Sequence, residues 1–385
     1  MKKVLDQYAR RLEAERCVLP GRVAVACRND TLCVVGPRDL AGLASEILDR
    51  LPALAVIVAE PLLPYPALLL RRAPDGTSAL VPRDSESRAS LHDIPLVTTS
   101  PPTTALAGIV SRLLTRRKGC IIQGIGMAAH GSLTVEQAYI SWSSLYHAAC
   151  IKYLEDLLSC GMQLPDEGDV VAQLQQQNPD RVQSPDVHFR QGPLRTRDEI
   201  VAELTAVGRA TVRMGLVDSF FGNISFAGEE ALYISQTSAR LDELEQQIDR
   251  IPYDRSSTAG ITASSELPAH QAIIAATGCR AVLHGHPRFP VVLSFFSEKT
   301  GYEGIEQICE IPVVGGEGGQ GGLAQTVPLA LRLTGTDAVI VRGHGVFSIG
   351  REDFRAAFAG LLEVEKRCRA EYGRRLADPP RSTNG

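Results

Sequence analysis

Apolar positions in the first 160 residues switch between helical and strand spacing. Val4, Tyr8, Leu12 and Ala14 fall close to one face of a 3.6-residue repeat and predict a helix over about residues 1–19. Residues 22–27 and 31–35 read as strands, separated by the turn residues Arg28-Asn29-Asp30. Residues 39–50 read as a helix and 55–59 as a buried strand, after which Pro61, Pro64 and Pro66 interrupt the chain. Residues 75–90 are polar, rich in Ser and Asp, and read as loop. A helix over about 103–116 leads to a strand at 120–123 that ends at Gly124-Ile125-Gly126. A long helix follows from about Thr134 to Leu158.

Residues 161–193 lose this periodicity and are rich in Gln, Asn, Asp and Pro, the composition of an interdomain linker. A new helix opens at Thr196-Arg197-Asp198-Glu199, where Thr196 is placed to cap and Glu199 to reach back in a capping box. From there the chain repeats its own first half in order. Phe221-Gly222-Asn223-Ile224-Ser225 answers Pro20-Gly21-Arg22-Val23-Ala24, and Leu232-Tyr233-Ile234-Ser235 answers Leu32-Cys33-Val34-Val35. The strand at 281–284 answers 55–58, Glu310-Ile311-Pro312-Val313-Val314 answers Asp93-Ile94-Pro95-Leu96-Val97, and Arg342-Gly343-His344-Gly345 answers Gln123-Gly124-Ile125-Gly126. The drift in spacing predicts a shorter connection in the first copy before its Ala55 strand. The expected organisation is a first domain at 1–160, a linker at 161–193, a second domain at 194–376 and a disordered tail at 377–385.

Polar chemistry separates the copies. In the second, an apolar run ends in His284-Gly285-His286, and residues i and i+2 of a strand point to one face. A second apolar run ends at Gly343-His344-Gly345. Three imidazoles that leave a fourth position open are the usual ligand set of a catalytic zinc-type site. The first copy has Val58, Glu60 and Ile125 at the matching positions, and Arg22 opposite Asn223, so one metal site per chain is expected. Thr262-Ala263-Ser264-Ser265-Glu266 precedes a helix whose Pro268 fits only the first turn, with Ser264 or Ser265 as the expected N-cap and Glu266 in the first turn. Hydroxyls and free N–H groups at such a start can bind an anion. Gly222-Asn223 and Thr237-Ser238 could serve the same anion, or be plain turn residues. Gly315-Gly316-Glu317-Gly318-Gly319-Gln320-Gly321-Gly322 matches no nucleotide fingerprint and reads as a flexible loop. His270 falls inside the predicted helix and reads as an ordinary helix residue.

Composition narrows the class without changing this picture. The 385 residues suffice for two full cores, and 44% apolar with 22% charged residues is ordinary for globular chains. A net charge of −4 gives no general attraction to nucleic acid or anionic lipid. There is no signal-peptide-like start and no apolar run long enough to span a membrane. The nine cysteines include no CxxC and are read as reduced thiols of a cytoplasmic protein.

Gly222-Asn223-Ile224-Ser225, Thr237-Ser238, Ser264-Ser265-Glu266, His284-Gly285-His286 and Arg342-Gly343-His344-Gly345, in this order and spacing, resemble the class II aldolase/adducin family. The resemblance is good over about residues 196–372 and weak over 1–160. It implies two tandem α/β/α domains, each around a central, mainly antiparallel sheet. It also implies a divalent metal on His284, His286 and His344, most often zinc, with manganese, cobalt or iron as alternatives. Glu266 would then be the acid/base, and Gly222, Asn223, Thr237, Ser238, Ser264 and Ser265 would hold the substrate. Family members commonly carry Gly where this chain has Ser238, which narrows the pocket for a phosphorylated substrate. The implied reaction is C–C cleavage or formation in a small hydroxy-carbonyl compound, phosphorylated sugars included, through a metal-stabilised enediolate. Decarboxylation and epimerisation are rival activities on the same fold, and a non-catalytic adducin-like scaffold is the rival of another class. The family's four-fold rings would correspond here to a homodimer of two-copy chains, with Tyr372 reaching a neighbouring site as a proton donor.

Overall fold

Strand order shows most directly how the chain is built. The structure, a computed structural model, describes residues 1–99, 101–176, 188–218, 220–258, 261–297, 305–315 and 322–378. Two units divide it, Met1–Glu167 and Gly168–Gly385. The first contains α1 (Lys2–Ala14), β1 (Val18–Arg28), β2 (Leu32–Val35), α2 (Arg38–Leu48), β3 (Ala55–Pro61), α3 (Tyr65–Arg72), β4 (Ala79–Leu80), α4 (Ser85–Leu91), β5 (Ile94–Val97), α5 (Thr103–Leu114), β6 (Gly119–Ile122), β7 (Gly126–Gly131) and α6 (Val135–Cys160). After α7 (Glu167–Gln176), the second contains α8 (Arg197–Arg213), β8 (Asn223–Ala227), β9 (Ala231–Ser235), β10 (Ile248–Pro252), α9 (Leu267–Thr277), β11 (Ala281–Gly285), α10 (Arg288–Ser294), β12 (Glu306–Ile308), β13 (Ile311–Val314), α11 (Leu323–Thr334), β14 (Ala338–Val341), β15 (Gly345–Gly350) and α12 (Phe354–Ala377).

The first sheet runs β2-β1-β3-β7-β6-β5-β4, and the second β10-β9-β8-β11-β15-β14-β13-β12. With β10 set aside, the two orders are the same. Each sheet is antiparallel except for one parallel pair, β5 with β6 and β13 with β14. The connection that was expected to be shorter in the first copy is. Two residues join β2 to α2, whereas 31 lie between β9 and α9 and include β10.

Strand alternation sorts the side chains into two layers. In the first unit Val56 and Val58 of β3, with Ala24 and Ala26 of β1, pack under α2 and α5. The intervening β3 residues Ala55, Ile57 and Ala59 are also fully buried, and α1 and α6 pack on the sheet as well. In the second unit Val282, Phe347 and Ile349 pack under α9 and α11. The helix α12 packs on β11 and β15. Each unit is therefore an α/β/α sandwich whose central strands are buried on both faces.

Local chemistry accounts for the element ends. Thr196 accepts from the Glu199 N–H and Glu199 accepts from the Thr196 N–H, completing the expected capping box of α8. Residues 75–90 are not all loop: they hold β4 and α4. Asp84 caps α4 by accepting from the Ser87 N–H at 2.8 Å. That helix buries only Ser87 and Leu91, so it shows no apolar stripe. The stretch 161–193, expected as a polar linker, contains α7, and its residues 177–187 lie outside the described residues. So do residues 316–321 of the glycine-rich segment and 379–385 of the expected tail. Among the described residues no helix is long and apolar enough to cross a membrane.

Candidate metal centre

β11 delivers the first histidine. Val282 faces α9 and α11 in the core, and His284, two residues on, continues that face toward the N-terminus of α9. β11 ends at Gly285, and His286 follows it, its N–H held by the Leu216 carbonyl at 3.0 Å. His344 lies in the turn from β14 to β15. There Gly343 takes φ +62°, and the Gly343 N–H donates to Ser294 Oγ at 2.8 Å. The three imidazoles converge: ring centroids are 4.5 Å apart for His284 and His286, 5.0 Å for His284 and His344, and 4.9 Å for His286 and His344. One nitrogen from each lies within 4.8 Å of the others, and all three residues are buried. Close approach needs Gly345: a Cβ there would lie 2.5 Å from the Gly285 carbonyl oxygen and 2.8 Å from His284 Cε1.

Glu266 closes the site. It is the N-cap of α9, where Ser264 or Ser265 was expected, and Pro268 sits in the first turn. Its side chain does not cap the helix. One carboxylate oxygen lies 3.0 Å from His344 Nε2. The other lies 3.5 Å from His284 Nε2 and accepts from Asn223 Nδ2 at 2.8 Å. Burial pushes this carboxyl up, but His284, His344 and the Asn223 amide outweigh it, and its pKa falls below the usual carboxylate range. Burial in turn lowers His284 to about 4, against the pull of Glu266, so its ring is neutral at pH 7.

The donor set fits a divalent cation. His284 Nδ1 lies 3.0 Å from the Val346 carbonyl oxygen, which assigns the ring proton to Nδ1 and leaves Nε2 as a bare lone pair. That buried Nε2 has no hydrogen-bond partner and faces a carboxylate oxygen. Two buried acceptors turned toward each other are unfavourable, and a cation between them would satisfy both. His284, His286 and His344 would hold it, with Glu266 beside them.

The remaining expected residues fall into two groups. The bridge between Gln236 and Ala263 lays Thr237-Ser238 beside Thr262–Ser264. Thr237 Oγ1 donates to the Ala263 carbonyl, and the Ser264 N–H to that of Ser235. Thr237, Ser238 and Ser265 are exposed, while Ser264 is buried with its Oγ accepting from the Glu266 N–H. Ser238 takes φ +60°, the left-handed region where glycine is at ease. Gly222 takes φ +88°, and a Cβ there would meet the His284 carbonyl at 2.7 Å. Tyr372 is a residue of α12. It is fully buried within its own unit, edge-on to Phe289 at 5.1 Å, so it does not extend toward a neighbouring molecule in this arrangement.

Pairing register also corrects one expected equivalence. Asn223 lies opposite His284, and in the first unit Ala24 lies opposite Val58. Ala24, not Arg22, therefore stands where the second unit has Asn223. An irregularity in β1 between Val18 and Val23 displaced the match made through Gly21. His270 is the residue that sequence reasoning missed. It is fully buried, with Ser225 Oγ 2.6 Å from its Nδ1 and Asn223 Oδ1 hydrogen-bonded to its Nε2. Its position one turn after Glu266 was the available signal, together with Asn223 and Ser225 sharing a strand face.

Comparison with known proteins gives one family match. Residues 202–372 match the model of the class II aldolase and adducin N-terminal domain. No curated protein sequence matches the chain. Among solved structures, the chain is similar to L-fuculose-1-phosphate aldolase from Thermus thermophilus at 26% identity, covering 48% of this chain and 100% of that one, with a TM-score of 0.41. An aldolase II superfamily protein from Pseudomonas syringae aligns at 22% identity over 45% and 73% of the two chains, with a TM-score of 0.37. A sugar-phosphate aldolase from Thermotoga maritima aligns at 18% identity over 47% and 96%, with a TM-score of 0.34.

Proposed function

We propose that the chain is a metal-dependent lyase, a reading supported by the match of residues 202–372 to the model of the class II aldolase and adducin N-terminal domain. Its substrate would be a small compound with adjacent hydroxyl and carbonyl oxygens, and the reaction cleavage or formation of the C–C bond beside them. The observation that carries the reading is the buried convergence of His284, His286 and His344 with the Glu266 carboxylate against two of them. A divalent cation there, zinc in the first place, would supply Lewis-acid stabilisation of the anionic charge that develops on substrate oxygen.

The chain's own residues do the rest. Glu266 is the acid/base that moves the substrate proton, and His284, His344 and the Asn223 amide keep it ionised, against the effect of burial, until that proton arrives. Asn223 donates to one carboxylate oxygen and fixes the direction in which the other points. The buried site excludes water, which strengthens both effects. Thr237, Ser238 and Ser265 offer exposed hydroxyls on the paired segments that lead to Glu266, suited to the far end of the substrate, a phosphate among the candidates. The ring-like homodimer and the cytoplasmic setting belong to the same reading.

A panel of hydroxy-aldehydes, hydroxy-ketones and hydroxy-acids, each with and without a phosphate, tests it. Release of an aldehyde or ketone fragment is expected. Release of carbon dioxide alone would replace the aldolase reading with a decarboxylase. No turnover of any member, in protein shown to hold metal, would favour a binding or scaffold role.

A further inference from the structure

Behind Glu266 lies a line of buried polar groups that the reaction does not use directly. Ser225 Oγ is 2.6 Å from His270 Nδ1, His270 Nε2 is hydrogen-bonded to Asn223 Oδ1, and Asn223 Nδ2 is 2.8 Å from Glu266 Oε2. Ser225 and His270 are wholly buried, and Asn223 and Glu266 nearly so. We propose that His270 is a positioning residue: Ser225, His270 and Asn223 form a one-way chain of donors that holds the N–H₂ edge of Asn223 against Glu266.

The direction follows from elementary donor and acceptor accounting. The hydrogen bond to Glu266 comes from Asn223 Nδ2, so Asn223 presents its N–H₂ to the carboxylate. The Asn223 oxygen then faces His270, and an oxygen needs a donor, so the proton of His270 sits on Nε2. His270 Nδ1 is left as an acceptor, and the Ser225 hydroxyl donates to it. Every link points toward Glu266. Reversing any one of them sets two acceptors or two donors face to face in a buried site. With Asn223 flipped, its carbonyl oxygen would oppose the carboxylate.

Architecture supports a dedicated device. Asn223 and Ser225 stand at alternate positions of β8 and face α9, which brings His270 between them. The His270 backbone N–H also donates to the Glu266 carbonyl at 3.1 Å, so one turn of α9 holds Glu266 from behind while its side chain holds it through Asn223. In the first unit, pairing with β3 puts Ala24 and Ala26 at the places of Asn223 and Ser225, and both lie in the apolar core. The donor chain and the histidine triad are thus absent together.

Two measurements test the proposal. In the full chain, stripped of metal and labelled with ¹⁵N-histidine, ring ¹⁵N shifts at pH 7 report the His270 tautomer, assigned by the signal missing in His270→Gln. The Nε2–H tautomer is expected, and an Nδ1–H ring would overturn the proposal whether or not the protein binds metal. The second measurement, cobalt(II) titration followed by visible absorption, rests on the function proposed above. His270→Phe is expected to weaken cobalt binding by roughly 10–100-fold. His270→Gln, whose amide can both accept from Ser225 and donate to Asn223, should recover most of that loss. Wild-type affinity and an unchanged spectrum in His270→Phe would overturn the proposal. Should that variant fail to fold, Ser225→Ala carries the same prediction in smaller measure: mixed tautomers and a several-fold loss, with no change in either overturning it. A wild-type chain that takes up no cobalt would refute the metal reading, and the tautomer would still decide the donor chain.

Discussion

The two units carry one sheet order and differ at one place on it. Under α9, the second sheet presents His284 flanked by Asn223 and Phe347. Under α2, the first sheet presents Val58 flanked by Ala24 and Ala128. The backbone devices persist: Gly126 in the first unit fits against the Ala59 carbonyl as Gly345 fits against that of Gly285. At the sheet end the substitution is ionic, since Glu60, in the place of His286, pairs with Arg22, which also pairs with Asp39. The lesson is that this fold needs close strand packing at its centre but not a polar site there. The site depends on a further segment, the 31 residues between β9 and α9, which bring in β10 and Glu266. The first unit has no equivalent of it.

Perturbations specific to each unit can break or sharpen this comparison. The largest effect is expected from Glu266→Gln, which should lower turnover of the identified substrate by about 10²–10⁴-fold, the range for a lost acid/base. The melting temperature should stay close to that of the wild type. Full turnover in this variant would remove Glu266 from the chemistry.

Next in size is a stability effect confined to the first unit. Arg72 and Glu167 form a buried pair at 2.5 Å, and Glu167 also accepts from the Gln163 and Leu164 N–H groups. Burial pushes Glu167 up, but Arg72 and the two N–H groups hold it below its ordinary 4.5. Arg72→Met leaves a buried carboxylate unpaired and should destabilise the first unit by about 3–5 kcal/mol, read by denaturant unfolding, with metal binding retained. The sign of the pH effect follows from the depressed folded pKa. The pair's contribution is complete above about 4.5, the ordinary carboxyl value, and is lost as pH falls through the folded value. Wild type should therefore lose its advantage over Arg72→Met in acid.

A matched pair of glycine variants separates packing from chemistry. Gly345→Ala and Gly126→Ala each force a Cβ into a neighbouring strand, at 2.5 and 2.4 Å from a carbonyl oxygen. Each should cost its own unit about 1–3 kcal/mol, as overpacking does. Only Gly345→Ala, which also crowds His284 Cε1, should weaken metal binding. Equal metal loss in both would contradict the assignment of the site to the second unit. The smallest effect is expected from Arg22→Ala. Its ion pairs are partly exposed and should be worth under about 1 kcal/mol in thermal unfolding.

Sequence made the triad legible because strand periodicity and glycine punctuation fix where His284, His286 and His344 stand. Repeat matching revealed the shared order of elements, since buried strands keep their apolar runs whatever chemistry they carry. Other features depend on contacts between segments far apart in sequence. His270 looks like any helix histidine until β8 brings Asn223 and Ser225 to it. The Ala24 equivalence needed the pairing register, because one irregular stretch of β1 shifts a match made by motif. The α4 helix escaped notice because an Asp84 cap, rather than an apolar face, defines it. The resemblance implied that Tyr372 reaches a neighbouring site, whereas its packing against Phe289 buries it in its own unit.

Metal content per chain tests the central claim most directly. Elemental mass spectrometry on the purified protein, beside a His284→Ala/His286→Ala variant, should give about one zinc, manganese, iron or cobalt per chain, and none in the variant. Two per chain, or one that survives the double substitution, would contradict the assignment of the site to the second unit alone. None, even after metal is added back, would contradict the metal centre itself.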